Sequence, residues 1–180
     1  MGGGDKVTTH NEARNAIHGQ AGSAGTRPEL EKSCLLADLG WPNLGGRGPA
    51  DTLLCSTAGI NTGKKRTWPR VALDVGIVCP QARSHLESAA REVLGAAHEY
   101  VGIKCRRNDT EVKCEEGGIN YQPIIFESLG GAAGETERVL NCLSWLVADN
   151  TNTPRGEVAQ QLWQRISIDL QRISRYVGHN

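Results

Sequence analysis

Along the chain the apolar positions change period several times, and each change marks a predicted element. Ala13, Ile17, Ala21 and Ala24 recur at helical spacing behind Thr9, a candidate cap, which predicts an amphipathic helix preceded by a flexible Gly-rich leader over 1–8. Pro28 stops this helix, and the apolar stretch from Leu30 to Leu36 predicts a short strand. Glycines and prolines between Trp41 and Pro49 make a loop. Ala50 to Ser56 and Val71 to Val78 read as two strands joined by a hairpin loop over Gly59 to Pro69. The second is β-branched and almost continuously apolar, as a strand buried on both faces would be. From Ser84 to about Cys114 the apolar positions, Leu86, Ala90, Val93, Ala97 and Val101 among them, keep helical spacing, with Gly95 and Gly102 as weak points in one long or broken helix. Ile119 to Phe126 is a further strand. Val139 to Ala148 and Glu157 to Tyr176 are closing helices, the last with Val158, Leu162, Ile166, Leu170 and Ile173 on one stripe. The order α-β-β-β-α-β-α-α predicts an α/β fold with a small mixed sheet flanked by helices.

The length of 180 residues suits one domain over 9–178, large enough to bury a core without staples. Net charge is zero, so the global balance selects no partner. Aromatic residues make up only 4% of the chain, which leaves little material for a base-stacking surface. The six cysteines are dispersed, mostly in apolar runs, and lack a CxxC pair; they read as packed thiols of a reducing compartment rather than zinc ligands. No stretch is long and apolar enough for a membrane span and the N-terminus has no signal-peptide pattern, so the expectation is an intracellular protein, nuclear or cytoplasmic, without a membrane partner.

The strands carry acids where acids are costly. Glu31 lies in the first, Asp51 begins the second, and Asp74 interrupts the buried run Val71-Ala72-Leu73-Asp74-Val75-Gly76-Ile77-Val78. An unpaired buried carboxylate costs several kcal/mol, so Asp74 needs a cation, a set of donors or a solvent-filled cleft. A hard divalent ion held by Asp51 and Asp74, with Glu31 nearby, meets that need. The plainer alternative is that Asp74 pairs with a basic side chain, Asp51 caps a turn and Glu31 is a solvated charge.

An ordered set of short motifs runs from about His10 to Arg172: His10-Asn11, Pro28-Glu29-Leu30-Glu31, Pro49-Ala50-Asp51, Ala72-Leu73-Asp74-Val75, Lys104 followed by Asn108-Asp109, Tyr121-Gln122-Pro123, Phe126-Glu127-Ser128-Leu129-Gly130-Gly131 and Gln164-Arg165-Ile166-Ser167. In this order they resemble the PD-(D/E)XK nuclease-like segment downstream of the reverse transcriptase in eukaryotic retroelements. The resemblance implies a restriction-endonuclease-like core and a metal-dependent DNA endonuclease using Mg²⁺ or Mn²⁺. Asp51 supplies the aspartate of the PD motif and Asp74 the first acid of the second motif. Gly76 stands where the lysine belongs. The resemblance then gives the lysine's role to Lys104 from the neighbouring helix, beside the plainer reading of a solvated lysine next to Arg106 and Arg107.

Between Asp51 and Asp74 the chain has no acid but four bases, Lys64, Lys65, Arg66 and Arg70, a candidate contact for a phosphate backbone or simply a soluble charged loop. Glu127 is a further candidate acid, although a strand-end charge before a glycine loop is commonplace. Neither His10 nor His18 has a sequence partner that marks it as a base. Three functional classes follow: a DNA-nicking enzyme working with a separate reverse transcriptase, a non-cleaving nucleic-acid-binding remnant of that domain, and a protein-interaction domain.

Overall fold

The computed structural model describes residues 3–32, 34–42, 49–56, 60, 63 and 68–177, with side chains described from Val7 to Gln171 within those ranges. Helix α1 (Gly3–Ser23) precedes strand β1 (Pro28–Lys32), a single turn α2 (Leu35–Asp38) and the strands β2 (Ala50–Leu54) and β3 (Arg70–Val78). Helices α3 (Leu86–Arg91), α4 (Gly95–Arg106) and α5 (Thr110–Glu116) lead into β4 (Ile119–Glu127), and α6 (Gly134–Thr151) and α7 (Arg155–Val177) close the chain.

The four strands form one mixed sheet in the order β1-β2-β3-β4. The first three make an antiparallel meander, and β4 pairs parallel to β3. A parallel partner requires a crossover, which α3, α4 and α5 supply. Helices α1, α6 and α7 cover one face, where Ile17, Leu54, Leu73, Phe126, Leu143 and Ile166 share a buried core. On the other face Leu35 and Leu36 of α2 pack with Leu53, Ala72, Ile119 and Tyr121, and Ala96 and Ala97 of α4 pack with Val78 and Ile125. Both faces of β3 and β4 are therefore covered, which explains the almost continuous apolar run of β3. Among the described residues no helix is long and apolar enough to cross a membrane.

Several elements differ from the sequence expectation. Residues 3–8, expected as a leader, belong to α1, so Thr9 is a buried helical residue rather than a cap. The strand expected to run to Leu36 ends at Lys32; Cys34 takes a left-handed conformation (φ 64°) and turns Leu35 and Leu36 into α2, where both are buried. The long helix is broken, but not at Gly102. One break lies before Gly95, where a Cβ would overlap the Ser88 carbonyl, so α3 and α4 meet at an approach that only glycine permits. The other lies at Asn108 and Asp109, both left-handed. Cys114 and Cys142 are buried, the other four cysteines are half-buried, and all six are free thiols.

Candidate functional site

The sheet register aligns the three acids. Leu30 pairs with Thr52 and Lys32 with Ala50, so Glu31 on β1 stands opposite Asp51 on β2. Thr52 and Leu73 are the last pair of the β2–β3 ladder, and the next residue beyond it on each strand is Asp51 on β2 and Asp74 on β3. Asp74 is in turn aligned with Pro123 on β4. Glu31, Asp51 and Asp74 thus occupy one row across the meander, at the end away from the β2–β3 loop.

At this row β2 and β3 part. The β2–β3 ladder ends at Thr52 and Leu73, leaving Val75 without a backbone partner on β2. Side chains replace it. The Val75 N–H donates to Asp51 Oδ2 at 2.7 Å. Its carbonyl, which points the same way in an extended strand, lies 3.2 Å from His10 Nε2 and 3.4 Å from Lys104 Nζ. Two layers meet in the gap, since His10 comes from α1 on one face of the sheet and Lys104 from α4 on the other.

Every acid of the row has its own basic partner. Arg14 pairs with Glu31, His10 Nε2 lies 3.3 Å from Asp51 Oδ2, and Lys104 Nζ lies 2.6 Å from Asp74 Oδ1. His10 and Arg14 are four residues apart, hence on one face of α1, and α1 crosses β1, β2 and β3. The phenol of Tyr121, from the adjacent β4, donates to Asp74 Oδ2. Glu31 is the outlying member. Its side chain is 63% exposed and turned to Arg14, so a solvated charge describes it better than a shared ligand does.

Burial pushes the Asp74 carboxyl above its ordinary range; Lys104 and the Tyr121 hydrogen bond pull it down, and the charge of Asp51 adds to the rise. Burial also acts to raise Asp51, but the hydrogen bond and charge of His10, the Val75 amide and the Lys104 charge outweigh it and leave Asp51 below its ordinary value. The Asp51 hydrogen bond lifts His10 above the usual imidazole value against a smaller opposing effect of burial. Tyr121 is driven far up by burial and by the Asp74 charge, so it stays a neutral donor. The Asp51 charge thus reaches Asp74, and the two carboxyls are shifted in opposite directions by their different surroundings.

Position 76 leaves little room for a side chain. A Cβ on Gly76 would stand 2.8 Å from Ile125 Cδ1 and 2.9 Å from Tyr100 Cε1. Tyr100 fills the room a side chain would use, and Lys104, one turn further along α4, passes that ring with Nζ 5.9 Å from its centroid and reaches Asp74. The cation reaches Asp74 from the helix because the strand cannot carry it.

Lys64, Lys65 and Arg66 lie outside the described residues. Arg70, the described member of that basic set, begins β3 four residues before Asp74, about 13 Å along an extended strand. It donates to the Gly117 carbonyl at 3.2 Å, so it braces the start of β4 and does not face the acids. Glu127, weighed as a supporting acid, instead accepts the Ala97 N–H at 3.2 Å and caps the start of α4. His10 and Tyr121 are the site residues that residue-by-residue reading left without a role. Both stand in short motifs of the ordered set, the only signal in the sequence that could have raised them.

Comparison with family models, with curated proteins and with solved structures finds no match to this chain.

Among the described residues no three His, Cys, Asp or Glu side chains are grouped to hold a metal ion. Two carboxylates and the Val75 carbonyl do converge, and all are hard oxygen donors already gathered around nitrogen cations. Mg²⁺ and Mn²⁺ suit such a set, because they are commonly held by one or two carboxylates with water and phosphate oxygens completing the shell. Asp51 and Asp74 are the side chains in the row whose oxygens are of the kind such an ion takes.

Proposed function

We propose that this chain is a metal-dependent phosphodiesterase that nicks DNA, built on a PD-(D/E)XK core and derived from a retroelement. The observation that carries the reading is the facing of Asp51 and Asp74 across the opening of β2 and β3, with Lys104 on Asp74. The mixed four-stranded sheet flanked by helices, with a leading helix, a three-stranded meander and a parallel fourth strand, is compatible with that reading.

A Mg²⁺ or Mn²⁺ ion at this site would activate water and neutralise charge on a phosphodiester. The protein's part is to hold and orient. Asp51, fixed by the Val75 amide, and Asp74, fixed by Tyr121, present carboxylate oxygens from two strands. Lys104 supplies a fixed cation where charge develops on the phosphoryl oxygens and helps orient the attacking water. Lys64, Lys65 and Arg66 are proposed backbone contacts, with DNA as substrate, a separate reverse transcriptase as co-worker and a nuclear or cytoplasmic location.

One observation favours a second reading, a nucleic-acid-binding domain that no longer cleaves: each acid in the row is already paired with a basic side chain of the chain. Incubation of the protein with supercoiled plasmid in Mg²⁺ or Mn²⁺ decides between them. The nuclease reading expects open-circular product that is lost in chelator and in Asp51→Asn and Asp74→Asn. Plasmid that stays supercoiled while salt-sensitive binding persists rules out cleavage and leaves the binding domain.

A further inference from the structure

The imidazole of His10 is poorly served where it sits. Nε2 lies 3.3 Å from Asp51 Oδ2 and 3.2 Å from the Val75 carbonyl, so one N–H is shared between two acceptors at the long end of hydrogen-bonding range. Nδ1 faces another oxygen, Asn11 Oδ1, at 3.4 Å. Both ring nitrogens thus make contacts near the long limit of hydrogen bonding, so the ring is loosely held in its place. The Val75 carbonyl is equally underserved, since its second contact, to Lys104 Nζ, is 3.4 Å long.

We propose that His10 holds the cation seat between Asp51 and the Val75 carbonyl in the metal-free protein, and that a divalent ion must displace it to bind. This rests on the metal-site reading of Asp51 and Asp74 given above. A small dication satisfies the same oxygens at about 2.0–2.1 Å, far more closely than a shared N–H can. The His10 ring has somewhere to go: its side chain keeps 31% of its surface exposed, and its anchorage to Asn11 is weak. His10 is on this account neither a ligand nor a base but the occupant that sets how readily the site loads.

Calorimetric addition of Mn²⁺ to the intact chain tests this without any cleavage readout. His10→Ala should bind Mn²⁺ about tenfold more tightly than the parent, as expected from removing a competing charge-assisted hydrogen bond. Asp51→Asn should lose binding. His10→Gln, which keeps a neutral donor of similar reach, guards against a folding defect in the alanine variant and should fall between His10→Ala and the parent. In the parent, the His10 ring resonances should move toward those of an exposed imidazole as diamagnetic Mg²⁺ is added. Weaker Mn²⁺ binding in His10→Ala would make His10 a ligand and overturn the proposal, as would unchanged affinity in both His10 variants. Those failures leave the Asp51 site standing. Absence of Mn²⁺ binding in the parent and in every variant would instead remove the metal site and this inference together.

Discussion

Lys104 Nζ and Asp74 Oδ1 lie 2.6 Å apart, bridging helix α4 and strand β3 with both side chains more than four-fifths buried. The pair solves a problem the strand creates for itself. Asp74 interrupts a run of apolar residues covered on both faces, and its ionised form survives there only with a cation and a second donor, Tyr121. Removing one partner strands the other. Lys104→Met should therefore cost about 3 kcal/mol of stability, while Lys104→Met combined with Asp74→Asn should recover most of it. Denaturant unfolding of the two single variants and the double variant gives the coupling. If the two single effects simply add, the ion pair is not what holds Asp74.

The closed space at Gly76 leads to a second expectation. A methyl group there would press on Ile125 and Tyr100, so Gly76→Ala should destabilise by about 1–3 kcal/mol. The loss should shrink when Tyr100 is also cut back to alanine, although that change removes packing of its own. Thermal unfolding of the cycle checks this. Equal cost with and without the Tyr100 ring would mean that Ile125 or the strand itself refuses the side chain.

How far the sequence could be read follows from these two sites. Strand β3 was legible, Val71–Val78 against Arg70–Val78, because a strand buried on both faces advertises itself through an unbroken apolar run. The odd position of Asp74 was equally legible, since burial makes an acid costly wherever it occurs. The turn α2 was not, because its exit from β1 depends on the left-handed backbone at Cys34, a residue type that gives no local signal for it. The break between α3 and α4 fell beside one of the two glycines singled out because only Gly95 meets a carbonyl; spacing treats Gly95 and Gly102 alike. His10 stayed silent for a different reason. Its partner Val75 is 65 residues away, and only the crossing of α1 over the parting strands brings the two together.

The His10–Asp51 pair should show itself in the pH dependence of stability. His10 has a raised value in the folded state, so its contribution is fully present below the ordinary imidazole value near 6.5 and fades as pH rises through the higher folded value. Asp51 has a lowered value, so its contribution is present above the ordinary value near 3.8 and fades as pH falls through the lower folded one. Together they favour the fold most between those limits. Parent protein should lose stability as pH rises above the ordinary imidazole value near 6.5, and His10→Ala should lose less over the same rise. Parallel profiles above pH 6 would show that the imidazole does not gain a proton on folding.

Glu127 offers the last expectation, and it separates positioning from direct participation. Its carboxylate accepts the Ala97 N–H in the first turn of α4, where a negative charge also suits the helix dipole. The other end of that helix carries Lys104, so the cap and the site cation are joined through one rigid element. Glu127→Ala should destabilise the protein by about 1 kcal/mol, the usual loss for a helix N-terminal cap. If the domain cleaves DNA, the same change should lower the nicking rate by allowing α4 to shift Lys104 off Asp74, while Mn²⁺ affinity stays near that of the parent, since neither Asp51 nor Asp74 is touched. Glu127→Gln, which keeps an acceptor for Ala97, should restore most of the rate. A fall in Mn²⁺ affinity matching the fall in rate would place Glu127 in the metal site after all, and a full rate in Glu127→Ala would show that α4 needs no cap to hold Lys104 in place.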